Sequence, residues 1–213
     1  MPINSQHSLE RALFALIVLA VFLLLGTKAS PATRDNSVAG TAEALHLPVT
    51  TSSAAAARYF ENGMRQYEAH RWNFALDNWR EAVKLDPDFA LAHAWICMTT
   101  VDPAEEASHR SQAKAAMKHA SPGEQLVVQW MAGIHENRYL EGITAMNDVL
   151  AMYPRDKRLN FLFGYWLFRQ DQYDMAERLT LKALSEDATY ATAYNQMAYL
   201  YSRPGDYLIA RER

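Results

Sequence analysis

Residues 59–87 read YFENGMRQYEAHRWNFALDNWREAVKLDP, and this stretch decides the fold. In its second half the apolar residues recur at spacings of three and four, which places them on one face of a helix. These residues are Trp72, Ala75, Leu76, Trp79, Ala82 and Val83. Pro87 ends this helix and begins the next one, because proline fits the first turn of a helix but not its interior. The stretch is therefore typical of a chain built from short, closely connected helices.

Helix starts of the same kind recur further along the chain. Residues 102–105 read DPAE and residues 121–124 read SPGE, so that a capping side chain precedes proline and glutamate follows three residues after the cap. Both resemble a capping box, in which the two side chains satisfy free backbone N–H groups. No stretch after residue 54 shows the sustained alternation of a strand. We expect an all-α fold over residues 54–213.

Residue types also recur at fixed distances along the chain. An aromatic residue stands nine positions after Gly63 and a small residue twelve positions after it, and the same ladder follows Trp130, Gly164 and Ala198. These four starts are 67, 34 and 34 residues apart, and a divergent copy beginning near Cys97 fills the longer gap. A single helix pair cannot bury its apolar face alone, so neighbouring pairs must stack.

A 34-residue period with these residue types resembles the tetratricopeptide repeat. Residues 59–87, 160–188 and 194–210 carry the resemblance best, whereas Trp130 replaces the usual small residue and Gly142 the usual alanine. The resemblance implies an alpha-alpha superhelix, a right-handed solenoid of stacked antiparallel helix pairs. The implied repeat domain covers residues 54–213, with units at about 56–89, 90–122, 123–156, 157–190 and an incomplete 191–213.

In this family the first helices of the pairs line a concave groove that holds a peptide. Matching offsets imply a groove of mostly aromatic residues with two arginines, and such residues anchor interfaces. The implied groove residues are Phe60, Met64, Tyr67, Phe161, Tyr165, Phe168, Arg169, Asn195, Tyr199 and Arg203, with Val127, Ile134 and His135 in the third unit. A core role is the other interpretation, and we favour it for Phe60 and Phe161. These two also stand where one subtype of the family has a lysine that clamps a terminal carboxylate, so we do not expect that ligand.

Catalytic and metal-binding patterns are not evident in the sequence. The seven histidines are scattered, and no two of them stand four residues apart with a glutamate between. Cys97, the only cysteine, takes the small-residue position of its unit, so we interpret it as a packing residue. We therefore expect no enzyme, no catalytic residue, no metal site and no cofactor. The net charge of −3 makes nucleic acid a poor partner.

Residues 1–29 are typical of a signal peptide or an N-terminal membrane anchor. Residues 12–26 form an unbroken apolar run with Arg11 before it and small residues after it. A run of fifteen residues is long for a signal and short for a membrane span, so both interpretations stay open. Either one places the protein in the periplasm or another extracytoplasmic space, secreted or tethered to the inner membrane. Residues 30–53 are predicted to be a flexible linker, with an ordered extension packed on the first helix as the alternative.

The last unit, residues 191–213, stops partway through its second helix. Because a solenoid normally ends on a polar cap, we expect a truncated or longer parent chain, or a partner at this open end, including a second copy. Two functions follow. One is a non-catalytic scaffold that presents its groove to a protein or peptide. The other is a regulatory, sensor or envelope-assembly module of a larger protein whose catalytic part lies beyond Arg213.

Overall fold

The computed structural model describes residues 46–202, and these residues form nine α-helices without a strand. The helices are α1 Ala54–Glu68, α2 Trp72–Leu85, α3 Ala90–Thr99, α4 Pro103–Ala116, α5 Pro122–His135, α6 Tyr139–Met152, α7 Lys157–Arg169, α8 Tyr173–Glu186 and α9 Ala191–Tyr201. A short 3-10 turn, Met117–His119, follows α4. The capping box at Ser121 and Glu124 is present at the start of α5. The all-α prediction is confirmed.

The helices pack as adjacent pairs. α1 packs against α2, α3 against α4, α5 against α6 and α7 against α8, and each pair also packs against the next. The first helices of the pairs begin at residues 54, 90, 122, 157 and 191, so the pairs follow one another at a nearly constant interval. The architecture is an alpha-alpha superhelix, as the sequence predicts.

The turn inside three of the pairs has the same backbone conformation. His70, Asn137 and Asp171 have φ angles of 57°, 57° and 59°, in the left-handed region. In the third pair, Asn137 N donates to Ile134 O at 3.2 Å and Arg138 N to Gly133 O at 2.7 Å, which together form a Schellman motif. The three left-handed residues are spaced like Gly63, Trp130 and Gly164, so the backbone repeats in step with the sequence ladder.

Small residues set how closely the two helices of a pair approach. In the third pair, a Cβ on Gly133 would lie 2.8 Å from the Cα of Gly142, and a Cβ on Gly142 would lie 3.0 Å from Trp130 O. The side chain of Trp130 meets Phe163 of α7 edge-on, with ring centroids 4.6 Å apart. Trp130 and Gly142 are thus explained together, because the two helices approach through backbone atoms at Gly142, while the Trp130 ring packs on α7.

Residues 46–53 form an extended segment ahead of α1, which we call the N-terminal extension. Leu47 N donates to Asp156 Oδ2 at 2.8 Å, Thr50 N to Glu124 Oε1 at 2.7 Å and Ser52 N to Asp86 Oδ2 at 2.8 Å. These carboxylates stand at or just before the starts of α7, α5 and α3. Residues 46–53, which belong to the predicted 30–53 linker, are thus bonded to carboxylates near the starts of three later helices.

Several sequence predictions concern residues outside the described range. These are the signal or anchor at 1–29 with its apolar run at 12–26, the first part of the linker, Arg203 and the end of the fifth unit. Among residues 46–202, no helix is both long enough and apolar enough to cross a membrane.

Candidate functional site

The helices enclose a cavity of about 850 Å³, which we call the inner cavity. Its walls come from α1, α2, α3, α5 and α7, together with the turn after α3 and Glu105 at the start of α4. The lining is rich in aromatic rings and carries arginines at its rim. The main lining residues are Tyr67, Trp72, Leu76, Arg80, Trp95, Met98, Trp130, Tyr165, Trp166 and Arg169.

The rings of the inner cavity pack on one another and hold its shape. The Tyr67 ring lies edge-on to Trp72, with centroids 5.1 Å apart, and tilted against Trp95 at 5.3 Å. Trp72 in turn lies 6.1 Å from Tyr165 across the cavity. Burial, and then the neighbouring Tyr165, raises the pKa of Tyr67 well above its ordinary value, so its phenol stays protonated. The result is a preformed aromatic wall with a neutral hydroxyl.

The two arginines at the rim differ in their partners. Arg80 forms a bidentate pair with Glu105, with Nε–Oε1 at 2.8 Å and Nη2–Oε2 at 2.9 Å. The hydrogen bond from Arg80 lowers the pKa of Glu105 to about 2. Arg169, at the opposite side, is exposed and reaches only Tyr165 Oη at 3.5 Å, with no ion pair to a carboxylate in the described range. Arg169 is therefore the cation that this rim offers to a ligand.

An ion-pair cluster joins α1 to α7, which lie far apart in sequence. Arg158 donates to both carboxylate oxygens of Glu61 at 2.9 Å and through Nε to Glu68 Oε1 at 2.6 Å. Tyr190 Oη donates to the same Glu68 oxygen at 2.8 Å. We call these four residues the Arg158 clasp. Burial lowers the pKa of Arg158, but the hydrogen bonds and charges of Glu61 and Glu68 outweigh this effect and raise the pKa above its ordinary value. The clasp closes the space between α1 and α7.

The predicted groove residues do not all lie at the inner cavity. Tyr67, Tyr165 and Arg169 line the inner cavity. Phe60, Met64 and Phe161 are buried instead, with exposed fractions of 3%, 1% and 1%. Phe60 packs on Phe89 and Phe161 on Tyr190, with ring centroids 5.0 Å and 5.5 Å apart, so both lie in the core, the interpretation favoured from the sequence.

A second cavity of about 240 Å³ lies beneath the N-terminal extension. Phe60 and Met64 form part of its lining, and Leu47 and Val49 of the extension lie over them. Val127 also borders this cavity. The inward side of α1 is therefore partly covered by the chain's own extended segment.

The remaining predicted residues lie away from the inner cavity. Phe168 is half-buried against Tyr173, with centroids 5.8 Å apart. Asn195 is exposed and its Nδ2 lies 3.3 Å from His70 Nε2, while Tyr199 is exposed on α9. Arg203 lies beyond the described residues. Only some of the predicted groove residues therefore lie together at the inner cavity.

Sequence reasoning missed several residues of the inner cavity. The sequence places Trp72 on the apolar face of a helix and does not single out Trp95, yet both line the cavity. Met98 and Trp166 carried no signal at all, since any apolar residue on a helix face reads as core.

The single cysteine has a polar neighbourhood that the sequence did not indicate. Cys97 is buried, and its Sγ lies 3.5 Å from Glu106 Oε1. Burial, and then the charge of Glu106, raises the pKa of the Cys97 thiol to about 12. An activated nucleophilic thiol shows the opposite shift, a lowered pKa.

The comparisons with known proteins found no relative of this chain. None of the protein-family models that were scanned matches the chain, and a search of curated proteins found none with significant similarity. The class defined by the fold is an all-α superhelix of stacked helix pairs with an aromatic inner cavity.

Proposed function

We propose that this protein is a non-catalytic scaffold of the tetratricopeptide-repeat type, which binds an extended segment of a partner protein in its inner cavity. The observation that carries the proposal is the cavity itself, about 850 Å³ in volume and lined by rings from five helices. Ligand sites are typically concave and aromatic, with a few polar groups that fix orientation. This volume suits several side chains of a peptide.

The hydrogen bonds of the N-terminal extension are evidence for a ligand with an extended backbone. Three carboxylates near helix starts accept hydrogen bonds from its backbone N–H groups, at residues 47, 50 and 52. Such bonds depend on an extended backbone and not on a particular side chain, and hydrogen bonds to a charged acceptor are among the stronger ones. The same helix pairs can thus hold an extended chain along their starts.

The chemistry of the rim indicates what the partner segment carries. Stacked rings such as Trp72 and Tyr165 accommodate an aromatic or large apolar side chain. Arg169, with no carboxylate partner in the described range, suits an acidic group beside it. We infer a partner segment in which an apolar anchor stands next to Asp, Glu or another anion.

The repeat assignment and the location are part of the same proposal. Left-handed turn residues at matching positions of three pairs support a repeat of one structural unit. The apolar run at residues 12–26, as a signal or an anchor, supports a scaffold outside the cytoplasm whose partner is an envelope or secreted protein.

The proposal is tested by partner capture followed by a binding titration. Wild type and the Arg169→Ala and Trp72→Ala variants are used to capture proteins from an envelope extract, and segments of the captured protein are then titrated as peptides. Loss of an interface anchor typically costs about 2 kcal/mol, so each variant is expected to weaken peptide binding by roughly 30-fold.

The control is Leu181→Ala, which changes an exposed apolar residue on α8 that does not border the inner cavity. It is expected to bind like wild type. Circular dichroism confirms that each variant is folded. Equal peptide binding by wild type and both cavity variants would contradict the proposal.

A further inference from the structure

Three side chains of the types that bind transition metals meet at one place on helices α3, α4 and α5. They are Cys97, Glu106 and His135, and their ligand atoms all lie within 4.8 Å of one another. Glu106 Oε1 lies 3.5 Å from Cys97 Sγ and 3.3 Å from His135 Nδ1. Since each residue comes from a different helix, spacing along the sequence does not reveal this group.

The three side chains are held in place by their neighbours. Arg110 Nη1 lies 2.7 Å from Glu106 Oε1, which fixes the carboxylate. On the other edge of the imidazole, His135 Nε2 lies 3.2 Å from Met98 Sδ. In metal sites, outer contacts orient the ligands.

The partial burial of these three side chains distinguishes them from a cluster of acidic residues on a protein surface. Cys97 is 1% exposed, while the side chains of Glu106 and His135 are 21% and 23% exposed. One wall is therefore dry, and the carboxylate and the imidazole leave an entry from solvent. This arrangement leaves one position of a tetrahedral ion open to water or another ligand.

From this geometry we infer that Cys97, Glu106 and His135 bind one Zn²⁺ ion. A thiolate, a carboxylate and an imidazole nitrogen are the ligand types that Zn²⁺ takes in proteins. When the zinc–sulfur bond forms, the thiol proton leaves to solvent, and the two ligand charges then balance the charge of the ion. Ca²⁺ and Mg²⁺ are disfavoured because they prefer oxygen ligands throughout.

The position of Met98 argues against a copper(I) site. Soft thioether and thiolate ligands together favour Cu(I). Here, however, the thioether faces Nε2 of His135, and the thiol lies with the carboxylate on the Nδ1 side. One ion at Nδ1 therefore reaches the thiolate and the carboxylate but not the thioether. This inference does not depend on the proposed peptide binding.

The test uses Co²⁺, which replaces Zn²⁺ and absorbs strongly when a thiolate binds it. The full chain has one cysteine, so a thiolate-to-cobalt absorption band reports Cys97 alone. Titrating the reduced, metal-free protein is expected to give this band with one Co²⁺ per chain, and Zn²⁺ is expected to remove it.

Variants identify the other two ligands. Cys97→Ala is expected to abolish the band, and Glu106→Gln and His135→Gln each to weaken Co²⁺ binding by more than about 100-fold, since outer-contact changes alone cost 10- to 100-fold. His119→Gln, which changes an exposed histidine of the 3-10 turn, is the matched control and is expected to bind like wild type.

The second readout is thermal stability. Zn²⁺ is expected to raise the Tm of wild type and of His119→Gln, because an ion that binds only the folded state stabilises it. No charge-transfer band at excess Co²⁺ in folded wild-type protein would overturn the inference. So would an unchanged band in both Glu106→Gln and His135→Gln, or one metal ion shared by two chains.

Discussion

At the scale of the residue, single atoms decide how closely paired helices approach. Gly142 of α6 faces the backbone of α5, and a Cβ added to it would lie 3.0 Å from Trp130 O, closer than an ordinary contact. Helix propensity alone favours alanine over glycine by about 1 kcal/mol. Close packing and propensity therefore oppose each other at this position.

We predict that Gly142→Ala lowers the free energy of unfolding by about 1–3 kcal/mol, because overpacking of backbone against backbone outweighs the gain in propensity. Urea unfolding of the two proteins measures this difference. Asp148→Ala, an exposed change on the same helix, is the control and is expected to stay within about 0.5 kcal/mol. A Gly142→Ala protein more stable than wild type would contradict the packing described.

Two histidines of the second pair form a further residue-scale feature. His93 Nδ1 and His109 Nδ1 lie 2.7 Å apart, and His93 Nε2 lies 2.9 Å from Pro87 O. Burial lowers the pKa of both, although Asp86 and Asp88 near His93, and Glu105 near His109, favour the charged forms. The folded protein thus resists protonation that the unfolded chain accepts.

The sign of the pH dependence follows from this difference. Unfolded histidines take up protons near pH 6.5, so the free energy of unfolding is expected to fall as the pH decreases below about 6.5. Urea unfolding at pH 7.5 and 5.5 measures the loss. The double variant His93→Gln, His109→Gln is expected to lose less over this interval, and the exposed-residue variant His119→Gln as much as wild type. The prediction fails if the double variant loses as much as wild type.

At the scale of the element, the turn between paired helices needs a left-handed residue. Asn137 occupies this position in the third pair, and Tyr139 Oη donates to its Oδ1 at 3.0 Å. Asp171 and Tyr173 repeat the arrangement in the fourth pair, with a distance of 2.6 Å. Counted from Trp130 and Gly164, the aromatic residue nine positions later thus bonds to the left-handed turn residue seven positions later.

We predict that Asn137→Gly is more stable than Asn137→Val by at least about 1 kcal/mol. Both changes remove the bond to Tyr139, but only valine adds the steric cost of the left-handed conformation. Thermal unfolding of the two variants gives the comparison directly. Equal stability would mean that this turn does not hold the left-handed conformation.

At the scale of the whole molecule, the Arg158 clasp connects the first pair to the fourth and to Tyr190, just before α9. Arg158 and Glu68 have side-chain exposures of 30% and 11%, so part of the cluster is removed from water. Arg155, only three residues away, forms an ion pair with Glu186 at 3.0 Å but is 65% exposed. The chain therefore offers a matched pair of arginines in different surroundings.

We predict that Arg158→Met lowers the free energy of unfolding by roughly 2 kcal/mol, since two carboxylates lose charged hydrogen bonds and one is left half-enclosed. Arg155→Met is expected to cost less than about 1 kcal/mol, as exposed pairs do. Hydrogen exchange is expected to show faster opening of α1 in the first variant only. Equal effects of the two substitutions would contradict a clasp that joins distant pairs.

The sequence predicted the features that depend on local or periodic signals. The helix starts at Asp102 and Ser121 are predicted from residues close to them in sequence. The recurring residue types that follow Gly63 likewise lie within one repeat unit. The departure at Trp130 was visible, but its explanation needed the position of Gly142 against the backbone of α5. Periodicity indicates which face is apolar but not how near the next helix lies.

Contacts between distant units were beyond the reach of the sequence. Arg158 and Glu61 are 97 residues apart, and Leu47 meets Asp156 across 109 residues. Cys97, Glu106 and His135 likewise meet only because three helices converge. Each of these contacts depends on the curvature of the superhelix. That curvature is the sum of small differences in packing between successive helix pairs.

The central claim is that the inner cavity holds an extended segment of a partner. It is tested most directly by placing a photo-crosslinking phenylalanine derivative at Tyr165, inside the cavity, and in parallel at Leu181, on exposed α8. After illumination of intact cells, the account predicts a crosslink from position 165 to a single short segment of one partner, mapped by mass spectrometry. Crosslinks from position 181 alone, or none from position 165, would contradict it.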